Sequence, residues 1–180
     1  ARWGDLVFVI YPNLELGRKQ YGEFKSYLAN SGRDPDSVRV APAIYTIVGR
    51  SNAEAEDMRA EIEALAKPID GLVLLSEVLN FDFASKGYDE PFTTDELNGI
   101  SGIQAFRDRV ITLSGRANPT VRDFVEFTRR GTINEFPVFA GDAKTVADQM
   151  EEWLGSACDG FVIAGTHAPG SYEDFVAHVV

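Results

Sequence analysis

The chain has 180 residues, of which 44% are hydrophobic and 25% are charged, so it can bury a globular core of its own. Its 17 basic and 28 acidic residues give a net charge of −11, which disfavours binding to a nucleic-acid backbone. Because Cys158 is the only cysteine and the chain has two histidines, a disulfide framework and a cysteine- or histidine-rich metal site are excluded. The sequence also lacks an apolar run of about 20 residues, which excludes a membrane helix. We therefore expect a cytoplasmic protein with no nucleic-acid, membrane or metal partner.

Predicted strands and helices alternate in the first part of the chain. Residues 6–10 form a continuous apolar run, which is typical of a strand buried on both faces. Apolar residues at helical spacing predict a helix over residues 14–30. A second strand is predicted at 38–48, where Pro42 marks a bulge or a break in hydrogen bonding, and a capping-box pattern opens a helix at 51–67.

The first part of the middle of the chain shows no clear hydrophobic periodicity. Residues 68–102 mix apolar, aromatic and acidic positions, and we predict a long excursion with little regular structure that is functional rather than disordered. A helix is predicted at 103–113. Another follows with Asn118 as its N-cap and Pro119 at its first position, and it ends near Gly131.

Alternation returns in the last third of the chain. A strand is predicted at 136–141, a helix at 142–154 and a buried strand at 160–165, and a loop at 166–170 then leads into a helix from Ser171. Strands that alternate with helices predict a parallel sheet with right-handed crossovers. Two architectures suit four such units, a small doubly wound sheet or half of a (β/α)₈ barrel.

Motifs of other α/β classes are missing from the sequence. The turn after the first strand reads Tyr-Pro-Asn-Leu-Glu at 11–15 instead of the glycine-rich turn of a dinucleotide-binding fold. A Walker sequence and a Gly-x-Ser-x-Gly elbow are also absent, which disfavours P-loop and α/β-hydrolase activities. The chain starts without Met directly before a strand and stops in a predicted helix, so we expect a piece of a longer protein.

Four segments, in this order along the chain, resemble one known family. They are the opening at 1–8, the GRDPD segment at 32–36 with the glycine and AEA pattern at 49–55, the turn and VAD helix at 139–149, and the DGF segment at 155–161. Together they are similar to the bacterial luciferase-like flavin-dependent monooxygenases, in the branch of the nitrilotriacetate and dibenzothiophene-sulfone monooxygenases. The chain departs from the family at 142–144, where relatives prefer Thr/Ser-Pro-Glu.

The resemblance implies an α/β fold, with residues 1–180 as the C-terminal half of a (β/α)₈ TIM barrel and an insertion at about 68–135 before the third strand. It implies reduced FMN as the cofactor, supplied by a separate NAD(P)H-dependent flavin reductase and used with O₂ to oxygenate a small organic substrate. In the family, a turn just upstream of this segment holds the flavin phosphate. The chain alone is then expected to be inactive and to need the N-terminal half of the barrel, or a homo-oligomer, as its partner.

The resemblance also suggests where a substrate lid lies. The segment 76–92 is similar to a family segment that covers the pocket, and we name Ser76, Asp82, Phe83 and Tyr88 as candidate substrate or lid residues. Several relatives carry a histidine in this region, whereas residues 68–98 contain none. The alternative is that the aromatic residues of the segment only pack a long loop onto the barrel.

Two further residues are candidates for contact with flavin or substrate. His167 follows the last strand, at the end of a barrel strand where catalytic residues lie, and its imidazole could donate a hydrogen bond to a reacting oxygen or act as a general base. Arg2 is a candidate flavin-phosphate contact. The alternatives are a surface loop position for His167 and a stabilising role for Arg2. His178 and Cys158 are expected to be structural.

Two other functions remain open from the sequence. One is a non-catalytic α/β binding or assembly domain that has kept part of a barrel, which predicts a stable monomer without affinity for flavin. The other is a deazaflavin-dependent oxidoreductase, because that cofactor is used elsewhere in the same barrel superfamily. A half barrel would differ from the first of these, since its open sheet edges favour association.

Overall fold

A computed structural model describes residues 3–180. Within them the chain folds into four strands and eight helices, which are β1 Leu6–Val9, α1 Leu14–Asn30, β2 Arg39–Val48, α2 Asn52–Leu65, α3 Pro68–Leu79, α4 Thr94–Gly99, α5 Gln104–Ser114, α6 Val121–Thr128, β3 Val138–Gly141, α7 Ala143–Trp153, β4 Val162–Ala164 and α8 Ser171–His178. The described strands run parallel, as the alternation of strands and helices predicted.

The long strand β2 is the centre of the sheet. Its first residues pair with β1, from Leu6 opposite Arg39 onward. Its last residues pair with β3, where Val48 lies opposite Gly141, and its middle pairs with β4. Pro42 lies inside β2 at the point where the pairing passes from β1 to β4. The C-terminal ends of β2, β3 and β4 therefore share one edge of the sheet.

Strand β1 differs from its prediction. Residues 6–10 were expected to be buried on both faces, but Leu6 and Phe8 are 63% and 55% exposed. The physical reason is that β1 has β2 as its partner on one edge while the side chains on one of its faces have no covering layer among the described residues. An apolar run thus predicted the strand correctly but not its environment.

The chain divides into two compact units. One contains the residues up to 64 together with 136–180, and its core is built from β2, β3, α1, α7 and α8 around Ile44, Phe139 and Trp153. The other is 65–135, and its core is an aromatic and aliphatic cluster around Phe83 and Phe124. The assignment of 68–135 as an insertion in a single half barrel stays a prediction.

The prediction of little regular structure over 68–102 is wrong. Helix α3 begins with Pro68 at its first position, and Leu75 and Leu79 are fully buried one turn apart. Because this helix is apolar on nearly all sides, its sequence shows no polar and apolar alternation that would reveal a helical period. Helix α4 is opened by a capping box in which the Thr93 and Glu96 side chains each bond the other residue's backbone N–H.

The predicted start of α6 is also wrong. Thr120, and not Asn118, is its N-cap, because the Thr120 hydroxyl accepts from the Asp123 N–H while the Asp123 carboxylate accepts from the Thr120 N–H. Pro119 therefore lies before the helix rather than at its first position. The helix ends at Thr128, and Arg129 takes the left-handed conformation ahead of the predicted stop at Gly131.

A buried carboxylate connects three parts of the first unit. Asp159, whose side chain is 8% exposed, accepts from the Tyr21 hydroxyl at 2.9 Å and from the Val40 N–H at 2.9 Å. The Lys25 ammonium lies 3.1 Å from the same carboxylate, and the Arg39 guanidinium lies 3.5 Å from it. Asp159, which lies shortly before β4, is thereby joined to α1 and to the start of β2.

These donors control how the carboxyl group titrates. Burial by itself raises the pKa of Asp159, but the hydrogen bonds from Val40, Lys25 and Tyr21 outweigh it and leave the pKa below its ordinary value. Burial and the hydrogen bond to Asp159 raise the pKa of Tyr21 to about 12. The carboxylate is thus charged, and the phenol protonated, across the physiological range.

Replacing this carboxylate is expected to destabilise the fold. Asp159→Asn leaves the Lys25 ammonium, which is 12% exposed, without its counter-charge, and the free energy of unfolding should fall by about 3 kcal/mol. Urea unfolding followed by circular dichroism measures this loss. The control Asp148→Asn removes an exposed ion pair with Lys144 and should change the free energy by less than about 1 kcal/mol.

The same pair of variants has a pH signature. Because the pKa of Asp159 is lower in the folded than in the unfolded state, its contribution is fully present above the unfolded value of about 4 and is lost as the pH falls through the folded value. The stability difference between wild type and Asp159→Asn should therefore shrink below about pH 4. A difference that stays constant from pH 7 to pH 3 contradicts this account.

Candidate functional site

A cavity of about 750 Å³ lies at the C-terminal ends of β2 and β3, within the first unit. Its wall is formed by the residues that follow these two strands, by the start of α2 and α7, and by the last turns of α8. The lining residues are Val48, Gly49, Arg50, Glu54, Met58, Asp142, Ala143, Lys144, Asp174, Ala177 and His178. In parallel α/β folds, ligands bind at this end of the strands.

Two glycines bring backbone segments close together at the base of the cavity. A Cβ on Gly49 would lie 2.7 Å from the backbone nitrogen of Ala55, so only glycine allows β2 to approach α2 this closely. A Cβ on Gly141, which has φ +153°, would lie 2.6 Å from the Thr145 side chain. The Asn52 amide oxygen accepts from the Asp142 N–H at 2.8 Å and so joins the starts of α2 and α7.

The cations at the cavity are already paired. The Arg50 Nε lies 2.9 Å from the Glu54 carboxylate, and this hydrogen bond raises the pKa of Arg50 and lowers that of Glu54. The Lys144 ammonium pairs in the same way with Asp148, one turn along α7. The cavity therefore combines apolar surface with exposed ion pairs and with two further carboxylates, those of Asp142 and Asp174.

His167 lies in a loop that is ordered by its own hydrogen bonds. The Gly165 N–H donates to the Tyr172 hydroxyl at 2.9 Å, and the Thr166 N–H donates to the Ser171 hydroxyl at 3.1 Å. The Thr166 hydroxyl lies 3.0 Å from the His167 Nδ1. The loop thus holds the partly buried imidazole at the C-terminal end of β4, as the sequence predicted, while its role in catalysis stays a prediction.

The candidate lid residues have structural contacts inside the second unit. The Ser76 hydroxyl donates to the Leu72 carbonyl at 2.8 Å and lies within 3.3 Å of the Phe83 N–H. The Asp82 carboxylate accepts from the Ala84 N–H and caps a short 3₁₀ turn. Phe83 is fully buried against the neighbouring aromatic rings.

Tyr88, the fourth candidate, is partly exposed. The Arg122 guanidinium lies 4.5 Å from the centre of its ring, and Arg122 also forms two hydrogen bonds with Asp89. Next to it, the ammonium of Lys86 is buried between Glu90 and Glu96 and lies over the Phe92 ring. The segment 76–92 is therefore firmly packed within its unit, and its role as a lid stays a prediction.

The remaining candidates lie elsewhere. Arg2 lies outside the described residues, so its contact with a flavin phosphate stays a prediction. His178, which was expected to be structural, is exposed on the cavity wall. Cys158 is a core thiol as predicted, and burial raises its pKa to about 11, which leaves it protonated and unreactive. Among residues 3–180, His, Cys, Asp and Glu side chains form no cluster that could hold a metal ion.

The described residues fit only part of a flavin. Apolar side chains such as Val48, Met58 and Ala177 suit one face of an aromatic ring system. A phosphate needs unpaired donors, but Arg50 and Lys144 are each neutralised by a carboxylate on their own helix or turn. Within residues 3–180 the cavity thus does not form a phosphate-binding site.

Comparison with curated proteins gives matches along the whole chain. It is 30% identical over 183 residues to the dibenzothiophene-sulfone monooxygenase of Rhodococcus erythropolis, and 31% identical over 182 residues to component A of the nitrilotriacetate monooxygenase of Aminobacter aminovorans. Each match covers all of this chain but only 40% of the relative, so the chain spans less than half the length of the curated relatives it matches. No family profile matches the chain.

A solved structure extends this likeness to the fold. The chain superimposes on DmoA from Hyphomicrobium sulfonivorans with a TM-score of 0.67 and 27% identity, over 97% of this chain and 36% of DmoA. The chain is therefore similar to the luciferase-like monooxygenases and matches their C-terminal half. The predicted resemblance to this family and the predicted class of a half TIM barrel are both confirmed.

Sequence reasoning missed most of the cavity wall. Arg50, Asp142 and Lys144 directly follow two strands, and that position alone would have marked them as residues of the functional edge. Asp174 and His178 gave no such signal, because they lie on the helix after β4 and reach the cavity only through the packing of α8 against β2.

A glycine substitution tests the close approach that forms the cavity base. Gly49→Ala places a Cβ against the α2 backbone, which must move, so the free energy of unfolding should fall by about 1–3 kcal/mol. The matched control is Gly22→Ala, which lies in α1 with open space around its Cβ position and should be neutral or stabilising by up to about 1 kcal/mol. Equal effects of the two changes in urea unfolding would show that no close approach exists at Gly49.

Proposed function

We propose that this chain is the C-terminal half of a two-component FMN-dependent monooxygenase that oxygenates a small organic substrate with O₂. The observation that supports this most is the match of the whole chain to relatives named as monooxygenases. FMN, reduced by a separate NAD(P)H-dependent flavin reductase, would supply the O₂ chemistry, and a cytoplasmic location would give access to that reductase. The cavity and the His167 loop lie at the strand ends where such a site is expected.

The proposal divides the work between two halves of a barrel. This half contributes apolar surface, the His167 loop and the second unit, in which Asp82 and Tyr88 remain accessible for a substrate contact while Ser76 and Phe83 hold the segment in shape. The residues that bind the phosphate come from the other half, because the two cations at the cavity, Arg50 and Lys144, are each paired with a carboxylate. The segment 76–92 is proposed as the substrate lid.

The partner is the N-terminal half of the barrel. Strand β1 has β2 on one edge, and it exposes Leu6 and Phe8, which alternate along the strand and so share one face. Such a face and an open edge favour addition of a further strand and a covering layer. The rest of the barrel provides both, and a second copy of the chain is the alternative when that half is missing.

The exposed face of β1 predicts that the 180-residue chain associates in isolation. Phe8→Lys places a charge on this face and should shift the chain towards monomer, which sedimentation velocity over a range of concentrations measures. The control Tyr27→Lys changes an equally exposed aromatic residue on α1 and should leave association unchanged. A chain that is monomeric at all concentrations would instead favour a self-sufficient binding domain.

The central experiment uses the longer polypeptide that joins this chain to the N-terminal barrel strands. Anaerobic titration should show tight binding of reduced FMN and weaker binding of oxidised FMN. With NADH, a flavin reductase and O₂, the protein should oxygenate an organic substrate. The 180-residue chain serves as the control and should bind neither form. Failure of the longer protein to bind reduced FMN, or binding of a deazaflavin in its place, would overturn the proposal.

A further inference from the structure

In the His167 loop, the direction of the Thr166 hydroxyl hydrogen decides which nitrogen of the neutral imidazole carries the proton. The Thr166 hydroxyl can donate only one hydrogen bond. Two acceptors lie within reach, the His167 Nδ1 at 3.0 Å and the Thr46 carbonyl at 3.5 Å. The contact to Nδ1 is 0.5 Å shorter and lies within the usual range for an O–H donor, so we assign the hydroxyl proton to Nδ1.

A neutral imidazole carries one proton, and the partner of one nitrogen decides where it lies. If Nδ1 accepts from Thr166, the proton is on Nε2, which then becomes a hydrogen-bond donor. The Nε2 atom lies on the Gly170 side of the loop, 3.2 Å from the position that a Cβ on Gly170 would take. The Asp174 carboxylate lies 3.5 Å from the same position, and Asp174 lines the cavity.

We propose that Thr166 is a positioning residue that fixes His167 as the Nε2–H tautomer, so that the imidazole presents a hydrogen-bond donor on the Gly170 side to an oxygen acceptor at the C-terminal ends of the strands. This inference rests on the proposed function for the identity of the reaction. Gly170, with φ +117°, keeps the space beside Nε2 open, because any side chain there would be strained and would lie against the imidazole. Two further hydrogen bonds of the loop, from the Gly165 N–H to Tyr172 and from the Thr166 N–H to Ser171, hold in place the backbone that carries the ring and the hydroxyl.

The tautomer is measured directly by long-range ¹H–¹⁵N correlation spectra of the imidazole side chains at a pH where they are neutral. The chain has only two histidines, and His178→Gln assigns the signals of His167 without touching the loop. Wild type and Thr166→Ser, which keeps the hydroxyl, should show the Nε2–H form of His167. Thr166→Val removes the donor and should shift His167 to a mixture of tautomers, while the backbone amide spectrum stays folded.

Two results would overturn the proposal. One is a wild-type His167 in the Nδ1–H form, and the other is a tautomer that does not change in Thr166→Val. In the complete enzyme, Thr166→Val should lower kcat about tenfold or more with little change in KM, and Thr166→Ser should restore it. A wild-type kcat in Thr166→Val would also contradict the proposal. Failure of the proposed function is recognised separately, by the absence of reduced-FMN binding in the longer protein.

Discussion

The first unit depends on one constraint, which is that the carboxylate of Asp159 can be buried only if donors surround it. An isolated buried charge costs several kcal/mol, so α1, the start of β2 and the segment before β4 must all be in place before this residue is stable. The Lys25 ammonium extends the network by donating to the Pro35 and Val38 carbonyls. The position of β4, and therefore of the His167 loop that follows it, is set from this end of the sheet.

The opposite edge of the sheet carries the features that suit a ligand. Stability contacts lie at the N-terminal ends of the strands, and the cavity and the ordered loop lie at the C-terminal ends. This separation is typical of (β/α)₈ barrels, whose chemistry changes through loops while the strands keep the fold. Among residues 3–180 this edge is incomplete, because the cations at the cavity are neutralised locally and one apolar face of β1 is uncovered.

Much of the first unit could be predicted from the sequence, because strong periodicity and strand composition set α1, β2 and α7 independently of their surroundings. The second unit could not. Helix α3 is apolar on most sides and hides its period, and a capping box at Thr120 outweighs the Asn-Pro pair that suggested an earlier start. The exposure of Leu6 and Phe8 also could not be predicted, because a sequence shows that a strand is apolar but not which neighbours cover it. His167 was identified from its place after a strand, whereas Thr166 and Asp174 needed the geometry of the loop.

The central claim is that this chain forms half of the flavin site of a luciferase-like monooxygenase. The crystal structure of the longer protein with bound FMN tests it most directly. The account predicts a flavin over the C-terminal ends of β2, β3 and β4, with its phosphate held by the N-terminal half and its ring near the His167 loop. A flavin that contacts no residue between 3 and 180, or a structure in which β1 does not pair with a strand of the N-terminal half, would contradict it.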